Sequence, residues 1–307
     1  MKVVSGEDRP GVEGLVATVG FFDGVHVGHR FLISELNRIA RKQGLKSAVI
    51  TFADHPKKVL QKDFSLSLLT TYDEKIEQLE TTGVDYCIII DFTAELSKLS
   101  AKDFITNILK EKLNVSTLLI GYDHRFGHDR TDGFEQYVEY GKACGINVVN
   151  ASPYDCGKTK VSSSLIRKEL AKGNVENMSQ LLSRPYSLSG RVIEGYRVGR
   201  SLGFPTANIK PNSSEKKLPA MGAYAVWVYL DGEKHKGMLY IGNRPTLSGE
   251  EITPEVNILN FDRDIYNDEI TITFVSFIRE SSKFSSLDEL KAQLAKDREA
   301  VAGILKD

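Results

Sequence analysis

Along the first 150 residues, short uninterrupted apolar runs alternate with stretches whose apolar positions recur every three or four residues. The runs are GLVATVGFF (14–22), KSAVITF (46–52), DYCIIID (85–91), STLLIG (116–121) and NVVNA (147–151). Between them, amphipathic patterns near 31–42 (closed by Gly44), 73–82, 101–113 and 133–144 predict helices. Strands apolar on both faces and separated by helices imply a parallel sheet covered on both sides. Two short helices are expected in SSSLIRKELAKG and VENMSQLLS, and then SRPYSLSG (183–190) interrupts the rhythm with Pro185 and Gly190. Beyond it the period falls to two, as in Ala223, Ala225, Trp227 and Tyr229 before a DG turn, followed by GMLYIG, EVNILNF and EITITFVSF. A helical pattern returns only after Ser285, over about 287–305. The pattern therefore predicts two domains, α/β over 1–184 and β over 185–307, the second an antiparallel barrel with a terminal helix.

Composition narrows what such a chain can bind. Lys plus Arg number 40 against 41 for Asp plus Glu, so no overall basic field draws in nucleic acid or a membrane surface, and an anionic ligand has to be held locally. Cys87, Cys144 and Cys156 form no CxxC pair and read as reduced thiols of a cytoplasmic protein. The N-terminus lacks the apolar core of a signal peptide, and no apolar run approaches the roughly 18 residues of a membrane span.

Candidate chemistry gathers where parallel strands end. His26, His29, His55, His124 and His128, five of the six histidines, follow predicted strands rather than lying inside them. Ligands of open parallel sheets bind at that rim. In VGFFDGVHVGHR (19–30), Gly24 and Gly28 allow a tight turn and a close approach of the backbone, and the first N–H groups of the next helix suit a phosphate. The histidines then add directed donors. Two other readings stay open: that His26 and His29 cap and pack the turn, and that they bind a metal with His55 or Asp123. In VSSSLIRKEL (161–170), Ser162, Ser163 and Ser164 stand at a helix start, either as caps or facing an anion, and Arg167 offers a planar fork for phosphate oxygens. In GYRVGRSLGFPTANI (195–209), glycines 195, 199 and 203 let a loop lie against a ligand, and Thr206 and Asn208 place two hard oxygen ligands suited to Mg²⁺ two residues apart. A plain turn between barrel strands is the alternative. SPYDCGKT (152–159) has Ser152 where a Walker A loop needs glycine and reads as a loop.

These stretches carry a resemblance. GFFDGVHVGH, followed by TFADHP, GYDHRFG and SSSLIR, resembles the HxGH nucleotidyltransferases in the form found in bacterial bifunctional riboflavin kinase/FAD synthetases, and GRSLGFPTAN resembles the riboflavin kinase signature. The resemblance covers nearly the whole chain. It implies a Rossmann-like nucleotidyltransferase domain followed by a β-barrel riboflavin kinase domain, with riboflavin, FMN and ATP as substrates and Mg²⁺ as the metal. It further implies that Gly20, Phe22, Asp23, Gly24, Gly28 and Ser162–Ser164 surround ATP, that His26, His29 and Arg167 stabilise the transferring phosphate, and that His55, Asp123, Phe126 and Arg279 meet the flavin. Gly199, Arg200 and Gly203 then contact the second ATP, with Thr206 and Asn208 on Mg²⁺ and Glu255 as base beside the ribityl hydroxyl. Arg279 also fits a surface ion pair. His124, Asn257, Asn260, Asn267 and Ser183 depart from the family pattern. Two other classes stay open, a nucleotide- or flavin-binding regulator without turnover and a cytidylyl- or pantetheine-type transferase fused to an unrelated barrel.

Overall fold

All five apolar runs of the first part become strands of one parallel sheet. The computed structural model describes the chain except residues 9–10, 61–66, 123–124, 129–130, 155–160, 196–198, 200–201, 247–248 and 307, with backbone alone for 57, 244–246 and 249–251. The sheet comprises β1 (Lys2–Ser5), β2 (Leu15–Val19), β3 (Lys46–Phe52), β4 (Tyr86–Ile90), β5 (Val115–Ile120) and β6 (Asn147–Asn150), in the order β1-β4-β3-β2-β5-β6. Strand order reverses between β2 and β5, the kind of switch point at which open α/β sheets hold ligands. The HxGH turn follows β2, and GYDHRFG follows β5. The edge strand β1 was not expected, since KVVS is short and largely exposed.

Helices α1 (Val27–Gln43), α2 (Pro56–Leu60), α3 (Tyr72–Glu80), α4 (Ala94–Ser97), α5 (Ala101–Asp103) and α6 (Phe134–Cys144) complete this unit, α5 running on as a π-helix over Phe104–Lys112. On one face Ile33, Leu36 and Ala40 of α1 cover Val16 and Val49; on the other Ile105, Leu109 and Tyr137 cover Ala17, Ile50 and Leu118. α1 starts four residues before the apolar pattern does, because His26 caps it, and it closes at Gly44 in the left-handed region (φ 66°).

The chain divides into two compact units, Met1–Ser162 and Ser163–Asp307. The helix pair α7 (Ser163–Ala171) and α8 (Val175–Leu182) thus goes with the barrel, about twenty residues ahead of the change in sequence pattern at Arg184. Glu169 ties the pair together, accepting hydrogen bonds from Asn174, Asn177 and Lys172, and these donors hold its carboxyl down at about 2. The second half of SRPYSLSG enters β7 (Ser187–Ile193), and the strand passes so close to Lys210 that Gly190 has no room for a side chain.

With β8 (Ala207–Pro211), β9 (Gly222–Leu230), β10 (Glu233–Thr246), β11 (Gly249–Ile258) and β12 (Glu269–Glu280), β7 closes an antiparallel barrel in the order β10-β11-β8-β7-β12-β9. The terminal helix α9 (Leu287–Ile304), capped by Ser286, packs Val301 and the following Leu305 on Phe204, Ala225 and Met238. Two register shifts in β12, between Phe274 and Ser276 and between Phe277 and Arg279, re-aim the end of that strand.

Candidate active sites

At the sheet rim, the chain leaves β2 through Gly20 into a turn with Phe22, Gly24 and Val25 at φ 57°, 81° and 39°. A β-branched residue at positive φ is strained and persists only where surroundings hold it. Asp23 does the holding. It is 4% exposed, and its carboxylate accepts the N–H groups of Leu69 (2.9 Å) and Thr70 (3.1 Å), while the Thr70 hydroxyl accepts the N–H of Gly24 (3.0 Å). A buried carboxylate with these partners shapes the turn and is poorly suited to contact a phosphate itself.

His26 then caps α1. Its Nδ1 accepts the N–H of His29 at 3.3 Å, so the neutral ring carries its proton on Nε2 as a directed donor. The two imidazoles stack with centroids 3.6 Å apart, and His29 meets the edge of Phe22 at 5.1 Å. No acidic residue stands in the first turn of α1, so its N-terminal dipole is left available to an anion. His55, after β3, packs edge-on against Phe21 (4.5 Å). Phe126 stacks on the buried Tyr137 (4.4 Å), whose hydroxyl bonds the Phe126 backbone. Asp123 and His124 lie outside the described residues, as does Arg200. Among the described residues no three His, Cys, Asp or Glu side chains converge as a metal site, so the metal reading of the histidines gains no support. Ser162 closes the first unit, while Ser163, the exposed Ser164 and Arg167 belong to α7 of the second.

In the barrel a cavity of about 300 Å³ brings together residues far apart in sequence. Gly199, Thr206, Glu255 and Arg279 line it with a largely apolar wall that includes Phe284 and Leu294. Glu255 on β11 pairs with Tyr240 of β10 on one side and Asn208 of β8 on the other. Asn208 is buried, and the chain crosses its carboxamide so closely at Gly195 that a Cβ there would overlap it. Gly199 likewise leaves no room for a Cβ against the carbonyl of Phe204. Asn257, one of the departures from the family pattern, donates to the carbonyl of Pro205 at 2.7 Å and so fixes the loop that presents Thr206.

Arg279 forms an ion pair, though not on the surface. Its Nε and Nη2 reach the carboxylate of Asp297, 2% exposed on α9, at 2.8–3.0 Å, and Gln293 donates to the same carboxylate at 2.8 Å. Asp297, Gln293 and Tyr240 went unforeseen, since no local motif marks them; the one sequence signal is an acidic residue on the apolar side of the terminal helix. Changing Asp297 to Ala leaves the half-buried guanidinium without its carboxylate, with only the Glu280 carbonyl and the Ser282 hydroxyl still accepting from it, and is expected to cost about 2 kcal/mol of stability in thermal unfolding. A loss of a few tenths would show the pair to be incidental.

The family model for FAD synthetase matches residues 9–165, and that for riboflavin kinase matches residues 182–305. The chain is 37% identical over 286 residues to the bifunctional riboflavin kinase/FMN adenylyltransferase of Escherichia coli, covering 93% of this chain and 91% of that protein. It is 36% identical to the protein of the same name from Listeria monocytogenes, covering 92% and 90%. A solved structure from Streptococcus pneumoniae, named as a macrolide-efflux protein, matches with TM-score 0.88 and 31% identity over 98% of each chain. Among the described residues here, no helix is long and apolar enough to cross a membrane.

Proposed function

Because the chain belongs to the family of bifunctional riboflavin kinases/FMN adenylyltransferases, we propose that it makes FMN from riboflavin and ATP in the barrel and FAD from FMN and a second ATP in the 1–184 segment. The observation that carries this reading is the barrel cavity, which gathers Thr206, Glu255 and Arg279 from three separate stretches around one apolar-walled space. Such a wall suits a planar heteroaromatic ring.

In the first step a ribityl hydroxyl attacks the γ-phosphorus of ATP, its proton passes to Glu255, and the bond to the bridging oxygen breaks to release ADP. Thr206 and the firmly seated Asn208 offer the oxygen donors for magnesium, which when bound offsets charge on the phosphate oxygens. Arg279, oriented by Asp297, faces the flavin.

In the second step an oxygen of the FMN phosphate attacks the α-phosphorus of ATP, and pyrophosphate leaves. That nucleophile is already anionic, so no general base is required. Alignment and charge stabilisation remain, and the Nε2–H of His26, His29 and the first N–H groups of α1 are assigned to them. Asp23 acts as a brace for the turn, with His55 and Phe126 on the flavin side. We place the enzyme in the cytoplasm, where free thiols such as Cys87 and Cys144 persist.

Incubation with riboflavin, ATP and Mg²⁺, followed by chromatographic separation, is expected to yield both FMN and FAD. Folded protein yielding neither would overturn the reading, and FMN without FAD would remove its second half.

A further inference from the structure

Helix α3 places a lysine where its pattern calls for an apolar residue. Lys75 lies one turn before the buried Leu79 and is itself 2% exposed. Its Nζ donates to the carbonyl of Phe52, the last residue of β3, at 2.7 Å, and stands 3.5 Å from Oγ1 of Thr51. It also sits 4.3 Å from the centroid of the Phe21 ring and 5.8 Å from that of Tyr72. The Thr51 hydroxyl donates in turn to the carbonyl of Phe21 at 3.1 Å, and the Phe21 ring bears on His55. The carboxylates of Asp23 and Asp54 act on the ammonium through space rather than as contact partners. Burying a cation on these terms is costly, and a core position that tolerates it is a candidate for function.

We propose that Lys75 is a positioning residue for FMN adenylylation, its ammonium tying the turn of Phe21–Gly24, which leads into the His26–His29 cap, to the end of β3, which leads into His55. It touches no reacting atom and acts through Phe21 and Phe52. This inference rests on the reading of the first unit as an adenylyltransferase, so FAD formation by the unaltered protein from supplied FMN and ATP tests that reading separately.

Burial lowers the Lys75 ammonium from 10.5 to about 8. Its neighbour Cys87 is pushed up to about 11 and the phenol of Tyr72 is raised as well, so between about pH 7 and 9 Lys75 changes charge while these two do not. Asp23 and Asp54 act on it through space, and His55 packs edge-on against the Phe21 ring. Because the folded-state value lies below the unfolded one, the folded protein binds fewer protons across the interval from about 8 to 10.5, and stability contributed by this group rises with pH there. A positioning ammonium predicts the opposite trend for catalysis.

FAD formation by the unaltered protein is expected to fall as pH rises through about 8 while the unfolding temperature of this unit does not fall with it. K75M, neutral and of similar length, is expected to lose that limb and to lower kcat/KM for FMN about thirtyfold. Riboflavin phosphorylation should be unchanged. In a double-mutant cycle with F21L, the pair should be no slower than the slower single variant, since both act through one ring. An FAD rate that is flat or rises between pH 7.5 and 9, a K75M rate equal to that of the unaltered protein, or losses that multiply in the double variant would each overturn the proposal. If K75M fails to fold, the pH profile of the unaltered protein still decides.

Discussion

Glu255→Gln is expected to slow riboflavin phosphorylation by a factor of about 10²–10⁴, the usual contribution of a positioned general base, while FAD formation from supplied FMN stays unchanged. Glutamine keeps the length and volume of the side chain and its place on β11 between Tyr240 and Asn208, so the cavity wall is preserved and basicity alone is removed. Glu255→Ala removes both. A loose phosphoryl-transfer transition state demands little early deprotonation, so if Glu255 chiefly orients the hydroxyl, Gln will retain much more activity than Ala. Equal losses in the two variants assign the effect to proton transfer, and undiminished phosphorylation in both removes Glu255 from the mechanism. Each rate is read by separating FMN from riboflavin after incubation with ATP and Mg²⁺.

The reach of the sequence in this chain follows from how local each feature is. Strands β2 to β5 were legible because both their faces are buried and their apolar runs are continuous, and the edge strand β6 through its central Val148 and Val149. The edge strand β1 was not, as its polarity is set by exposure and its pairing with β4 spans more than eighty residues. The start of α1 was missed because a glycine-rich stretch with two histidines has no apolar period, and only the side-chain cap at His26 shows that the helix begins there. Pro185 and Gly190 suggested a break, yet Gly190 is needed for a close crossing inside the barrel wall. Residue types at the two sites were readable from their motifs. Partners supplied from elsewhere were not: the motif that marks Asp23 as a ligand contact does not show the N–H groups of Leu69 and Thr70 on its carboxylate, and the stretch that marks Arg279 for the flavin, or for a surface ion pair, does not show Asp297 of the terminal helix against it.

The same distinction between a motif and its use decides what His26 and His29 do, since a cap and a phosphate donor demand the same residue at the same place. His29→Ala is expected to lower FAD formation about 10²–10³-fold, as removal of one preorganised donor does, with FMN formation unaffected. For His26 two effects have to be parted. His26→Ala removes the acceptor that Nδ1 offers to the N–H of His29 together with the Nε2–H assigned to the phosphate, so it should cost about 1 kcal/mol of stability as well as rate. His26→Asn restores an oxygen that caps as well as any residue, but its amide cannot reach where Nε2 reaches. Stability should therefore return while FAD formation stays low. If the rate returned along with the stability, His26 would be a cap and nothing more, and the charge developing on the transferred phosphate would have to be met by His29 and the helix N–H groups alone.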